Sequence, residues 1–163
     1  MATQFQKLSD YNPEQLPDAG ALRFAILVSG WNYEITGQLK EGAYNTLLKY
    51  GVKQGNILVV DVPGSFELIY ATRRIIGSVK PDAVIGLGCV IRGETPHFDY
   101  VCSAVTQGFA QINADGDIPC IFGLLTTDNL QQAIDRSGGK YGNKGEEYAV
   151  SAIKMAHLAH TFK

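Results

Sequence analysis

DAVIGLGCVI, residues 82–91, is apolar almost without interruption, and then breaks into Arg92-Gly93-Glu94-Thr95-Pro96-His97. A strand with one wet face would place polar side chains at every second position. This run has none, so it suits a strand covered on both faces, as in a parallel sheet. LRFAILVS (22–29), NILVVDV (56–62) and IPCIFGLLT (118–126) repeat the form. Between these runs the period lengthens to that of a helix. TGQLKEGAYNTLLKYG carries Leu39, Ala43, Leu47 and Leu48 on one stripe, with Gly51 as a stop. SFELIYATRRIIGSV carries Leu68, Ile69, Ile75 and Ile76, and FDYVCSAVTQGFAQIN follows the run at 82–91. DNLQQAIDR, with Asp128 as its N-cap, and GEEYAVSAIKMAHLAH close the chain. Strand and helix alternate four times. That pattern predicts a doubly wound, three-layer α/β/α domain: a flavodoxin-like, four-stranded parallel sheet with helices on both faces and right-handed crossovers.

The 163 residues suit one domain with a substantial core. Residues 1–21 are polar and hold Pro13, Pro17 and Gly20, so they read as an N-terminal arm to a single domain over 22–163. The net charge of −2 speaks against a basic nucleic-acid surface. No apolar stretch reaches membrane-spanning length, and the start of the chain lacks the layout of a secretory signal, so a cytoplasmic protein is expected. The three cysteines, Cys89, Cys102 and Cys120, are odd in number, form no CxxC pair and sit in apolar runs. They read as reduced, buried thiols.

In an open parallel sheet, ligands bind beyond the carboxyl ends of the strands. Here those ends read Gly30-Trp31-Asn32, Pro63-Gly64-Ser65-Phe66-Glu67, residues 92–97, and Thr126-Thr127-Asp128. Each carries more polar or aromatic chemistry than a connecting loop needs. Trp31 is either a core aromatic or a flat ring offered to a planar ligand. Glu67 either stabilises a helix start or accepts from ligand hydroxyls. Gly93-Glu94-Thr95 before a helix makes a weak anion site. His97 is structural or an acid–base group, whereas His157 and His160 lie solvated in the last helix. Arg136, Lys140 and Lys144 sit among glycines in IDRSGGKYGNKGEE (134–147), either as a solvated flexible connection or as a cationic contact to phosphate. No P-loop, GxGxxG fingerprint, GxSxG elbow or metal-ligand spacing is present, so no metal is expected.

Taken in order, Gly30-Trp31-Asn32, VPGSFE (62–67), GCVIRGETPHFDYV (88–101), PCIFGLLTTDN (119–129) and DRSGGKYGNKGEE (135–147) resemble the lumazine synthase family of riboflavin biosynthesis. The resemblance runs from about Arg23 to the end. It implies condensation of 5-amino-6-(D-ribitylamino)uracil with 3,4-dihydroxy-2-butanone 4-phosphate, without a cofactor. It implies that Trp31 stacks on the pyrimidine in place of the commoner phenylalanine, with Asn32 beside it. Ser65, Phe66 and Glu67 match the segment that binds the ribityl chain and ring, and Cys89, Val90 and Ile91 the strand end that reads the pyrimidine edge. Glu94 and Thr95 match the phosphate site, with Gly93 as a support, and His97 the proton donor and acceptor. Phe122 and Arg136 match residues lent by a neighbouring subunit, with Lys144 and Glu147 as supports. The family also implies a homo-oligomer with active sites shared between adjacent subunits. That assembly is a pentamer or a 60-subunit shell of twelve pentamers, with riboflavin synthase as an associating partner. The short Ser137–Asn143 connection has the length seen in shell-forming members. A flavin- or nucleotide-binding module without turnover and a purely shell-forming protein are the other readings of the same edge loops.

Overall fold

A computed structural model describes residues 16–162. Its elements in chain order are β1 (Phe24–Ser29), α1 (Tyr33–Lys49), a 3₁₀ turn (Gln54–Asn56), β2 (Ile57–Val62), α2 (Glu67–Ser78), β3 (Ala83–Ile91) and α3 (His97–Asp115). They continue as β4 (Cys120–Thr127), a short α4 (Leu130–Ile134), the two-stranded ribbon β5 (Ser137–Gly139) and β6 (Gly142–Asn143), and α5 (Lys144–Thr161). The main sheet is parallel, in the order β2-β1-β3-β4. Every strand expected from an apolar run is present, within two residues of its expected ends.

The alternation inside β1 explains the layers. Phe24, Ile26 and Val28 point to one face, where they pack with Leu39, Ala43 and Leu47 of α1 and Ala149, Ala152 and Ile153 of α5. Ala25 and Leu27 point to the other, against Leu68 of α2 and Val105, Phe109 and Ile112 of α3. A strand buried on both sides needs apolar residues at both parities, which is why FAILVS reads as a continuous run. Leu48 departs from the expected stripe: it is exposed, one helical step round from buried Leu47. The cap of α4 also departs. Asn129, not Asp128, holds the extended backbone of a cap, and its side chain accepts from the Gln132 amide at 3.0 Å. Of residues 1–21, those at 1–15 lie outside the described residues, while Ala19 is buried in the α1/α5 layer.

The register creates the site. β1 pairs with β3 only as far as Val28 and Leu87, whereas β3 continues beside β4 to the pair Ile91–Thr127. β3 therefore projects beyond the end of β1. The chain leaves β1 toward β2 on one side while β3 begins on the other. This is the switch point at which open parallel sheets leave a crevice.

Candidate active site at the carboxyl ends of the strands

A cleft of about 660 Å³ opens at that switch point. Trp31 and Asn32 come to it from the end of β1, residues 63–67 from the end of β2, and Cys89, Val90, Ile91, Gly93, Thr95 and His97 from the end of β3. Phe98 and Val101 of α3 also line it. These two were not singled out in the sequence, although their spacing of three after the His97 turn puts both on one face of α3.

The loop bearing Trp31 is tied on two sides. Gly30 N–H donates to the Val62 carbonyl at 2.7 Å and Trp31 N–H to the Pro63 carbonyl at 3.1 Å, which fixes the loop to the end of β2. Asn32 adopts a left-handed backbone (φ 59°), and its Nδ2 donates to the Cys89 carbonyl at 3.0 Å. That carbonyl lies beyond the last β1–β3 pair, so the amide of Asn32 replaces the missing rung of the ladder. The Trp31 side chain itself is 73% exposed, which removes the core reading of this tryptophan. Ser65 is buried, Phe66 is exposed, and Glu67 is the first residue of α2. Glu67 thus stands at a helix start and also lines the cleft, a place compatible with either of its two readings.

Cys89 is fully buried, and burial pushes its thiol up from 9.0 to about 11, so it stays protonated near neutrality and is no nucleophile. Burial drives Cys120 to about 12. Cys102 is half-buried, not buried as expected. His97 opens α3 and is exposed at the rim. Gly93, Glu94 and Thr95 precede it in an exposed loop whose amides find no partner among the described residues. No group of three or more His, Cys, Asp or Glu side chains among the described residues is arranged to hold a metal.

Glu94, Phe122, Arg136, Lys144 and Glu147 do not line this cleft. Phe122 lies on the outer strand β4, 37% exposed, with its ring edge-on to Phe109 at 5.8 Å. Arg136 is half-buried. Its Nη1 donates to the Gln132 carbonyl at 2.8 Å, and its guanidinium stands 5.1 Å from the Tyr141 ring. Lys144 and Glu147 form an ion pair at 2.5 Å in the first turn of α5, with Glu147 only 4% exposed. The reading of 134–147 as a solvated, flexible connection fails at these residues, because the β5–β6 ribbon and the ion pair order them. Gly138 (φ 123°) and Gly142 (φ 79°) supply the left-handed turns of the ribbon, while Gly139 does not. His157 and His160 are exposed as expected, but His160 Nε2 also meets Asp82 Oδ1 at 2.7 Å.

A doubly wound sheet with an aromatic, a carboxylate, an imidazole and a loop of unpaired backbone amides at one switch point fits an α/β enzyme that acts on small molecules. The family model for 6,7-dimethyl-8-ribityllumazine synthase matches residues 21–160. The synthase of Phocaeicola vulgatus is 59% identical over 155 residues, covering 95% of this chain and 92% of its own. Those of Parabacteroides distasonis and Porphyromonas gingivalis are 57% and 54% identical, covering 98% and 97% of this chain and 99% and 98% of their own. The chain belongs to the 6,7-dimethyl-8-ribityllumazine synthase family, transferases of riboflavin biosynthesis. Among the described residues no helix is long and apolar enough to cross a membrane.

Proposed function

We propose that this enzyme condenses 5-amino-6-(D-ribitylamino)uracil with 3,4-dihydroxy-2-butanone 4-phosphate to give 6,7-dimethyl-8-ribityllumazine, phosphate and water. The observation that carries the reading is the meeting, in one cleft, of exposed Trp31, the Ser65-Phe66-Glu67 segment, the end of β3 and His97. Trp31 offers a face for the pyrimidine, and the backbone at Cys89–Ile91 reads its edge. Glu67 and Ser65 accept and donate to the ribityl hydroxyls. The amides of Glu94 and Thr95 hold the phosphate, with Gly93 as a support.

The 5-amino group attacks the ketone carbonyl, and loss of water leaves an imine. Phosphate departs with the C–O bond electrons as a proton is removed from the adjacent carbon. The enol so formed takes a proton at its terminal carbon to become a ketone, and the ribitylamino nitrogen attacks that carbonyl and closes the second ring, with loss of another water. His97 takes and returns these protons. Holding two reactants in register supplies most of the rate, since effective molarities are worth about 7–11 kcal/mol.

The site is completed by a second copy. Phe122 and Arg136 stand outside the cleft of their own chain, and Arg136 keeps donors of its planar fork for a neighbour's phosphate. Lys144 and Glu147 brace the same region. A ring of five copies gives every subunit the same contacts. The short, defined connection through Gly138 favours twelve such rings closed into a 60-subunit shell of about 1 MDa, from a chain of 17.7 kDa. The cytoplasm is the expected compartment, with riboflavin synthase as an associating partner. Mixing both substrates with the protein tests the function. The expected result is a fluorescent lumazine with one phosphate released per product, and binding without either product would refute the reading.

A further inference from the structure

Arg92 does not line the cleft, yet it touches three groups around the turn that carries His97. Its Nε lies 3.2 Å from Asp128 Oδ1, and its Nη1 lies 3.2 Å from Asp99 Oδ1. Its guanidinium carbon stands 4.1 Å from the centroid of the Phe98 ring. One planar group thus holds the residue next to His97 by its ring and the residue two further on by its carboxylate. The third contact reaches a different part of the sheet. Asp128 follows β4, and its own amide donates to Gln132 Oε1 at 3.0 Å. The Arg92 amide donates to the Thr127 carbonyl at 2.8 Å, so backbone and side chain both anchor on the end of β4.

Exposed ion pairs add little to global stability, and both carboxylates here are exposed. What the three contacts provide is geometry. The loop from Gly93 to Thr95 makes no hydrogen bond among the described residues, so its shape is set at its two ends. Arg92 joins those ends to each other and to β4. Lysine could not take its place, because two carboxylates in different directions and a ring face require the planar fork.

We infer that Arg92 is a positioning residue for the proton-transfer turn, bridging the start of α3 to the end of β4 so that His97 stands at a fixed place over the cleft. The inference rests on the reading of His97 given above. Steady-state kinetics and titration of Trp31 fluorescence with ribitylaminouracil, on Arg92→Ala, Arg92→Lys and Asp128→Asn, test it. Arg92→Ala should lower kcat about 10–100-fold, the scale of a small misplacement. Pyrimidine affinity should change less than about twofold, because the Trp31 loop is tied to the end of β2 and to Cys89 rather than to the 93–95 loop. Arg92→Lys should recover only part of kcat, and Asp128→Asn should lose less than Arg92→Ala. A folded Arg92→Ala variant with kcat within about twofold of wild type would overturn the inference. So would equal losses of kcat and pyrimidine affinity in all three variants, which mark a general loosening of the strand ends. If Arg92→Ala does not fold, the other two decide: lowered kcat at unchanged affinity in both supports the brace, and unchanged kcat in both overturns it. A wild-type protein that makes no lumazine removes the functional reading and this inference together, whereas an active wild type beside an indifferent Arg92 variant removes only the inference.

Discussion

Two sets of residues carry the resemblance to the lumazine synthases, and the structure separates them. One set hangs on the carboxyl ends of β1, β2 and β3 and encloses a single cleft. The other lies on β4, after α4 and at the start of α5, outside that cleft. The second set is no less ordered: Arg136 is tethered by the Gln132 carbonyl, and Lys144 by buried Glu147. We read the first set as a site that binds, and the second as the part that one copy lends to the next.

The sharpest way to break this division is to remove Arg136. Arg136→Ala removes a charge-assisted contact worth about 1.5–3 kcal/mol and leaves a phosphate partly unpaired, so kcat/KM should fall about 10²-fold. The loss should appear in KM for the butanone phosphate, with ribitylaminouracil affinity unchanged. His97→Ala should cost less, about 10-fold and so below the 10²–10⁴-fold typical of acid–base groups, because His97 is exposed and water reaches its place. Its loss should fall on kcat. A nearly normal Arg136 variant beside an inactive His97 variant would reverse the ranking.

Gly145 tests the frame of the second set. A Cβ there would lie 1.9 Å from the Leu39 carbonyl oxygen, where α5 crosses α1. Gly145→Ala should therefore destabilise the fold by about 1–3 kcal/mol, read from a denaturant midpoint. Smaller still is the effect of alkali on the buried thiols of β3 and β4. Cys89 and Cys120 titrate near 11 and 12 in the fold, against 9.0 ordinarily. The unfolded chain loses these protons first, so their contribution is complete below about pH 9, declines as the pH rises through 11–12, and is level beyond. Thermal melts from pH 8 to 11 should show that decline, and the double Cys→Ala variant should flatten it. The mildest change is Trp31→Phe, which keeps a ring face on the same tied loop. Its kcat/KM should stay within about tenfold of wild type, whereas Trp31→Ala should lose more.

The strands were legible because burial on both faces leaves no room for polar residues, and the expected runs lie within two residues of the observed ends. The cleft was legible because the ends of β1, β2 and β3 must converge, but the end of β4, Thr126-Thr127-Asp128, does not line it. What escaped depends on contacts that no local pattern contains. Asp128 and Asn129 are both good caps, and the sequence does not say that Asp128 is engaged by Arg92, 36 residues away. Leu48 continues an apolar pair but falls outside the buried stripe. Phe98 and Val101 look like ordinary core positions of a helix until α3 is set beside the cleft. The β5–β6 ribbon is too short and too rich in glycine to show a period at all.

In the arrangement proposed here, each working site takes its cleft from one copy and its arginine from the next. Mixed assemblies of His97→Ala and Arg136→Ala subunits, made by co-expression or joint refolding, test it directly. A site then works wherever an Arg136→Ala subunit, whose own cleft is intact, sits beside a His97→Ala subunit, whose arginine is intact. In a random equal mixture about a quarter of the sites regain both parts. Such mixtures should form lumazine at about a quarter of the wild-type rate, well above the average of the two pure variants. A mixed assembly no more active than that average would contradict the shared arrangement.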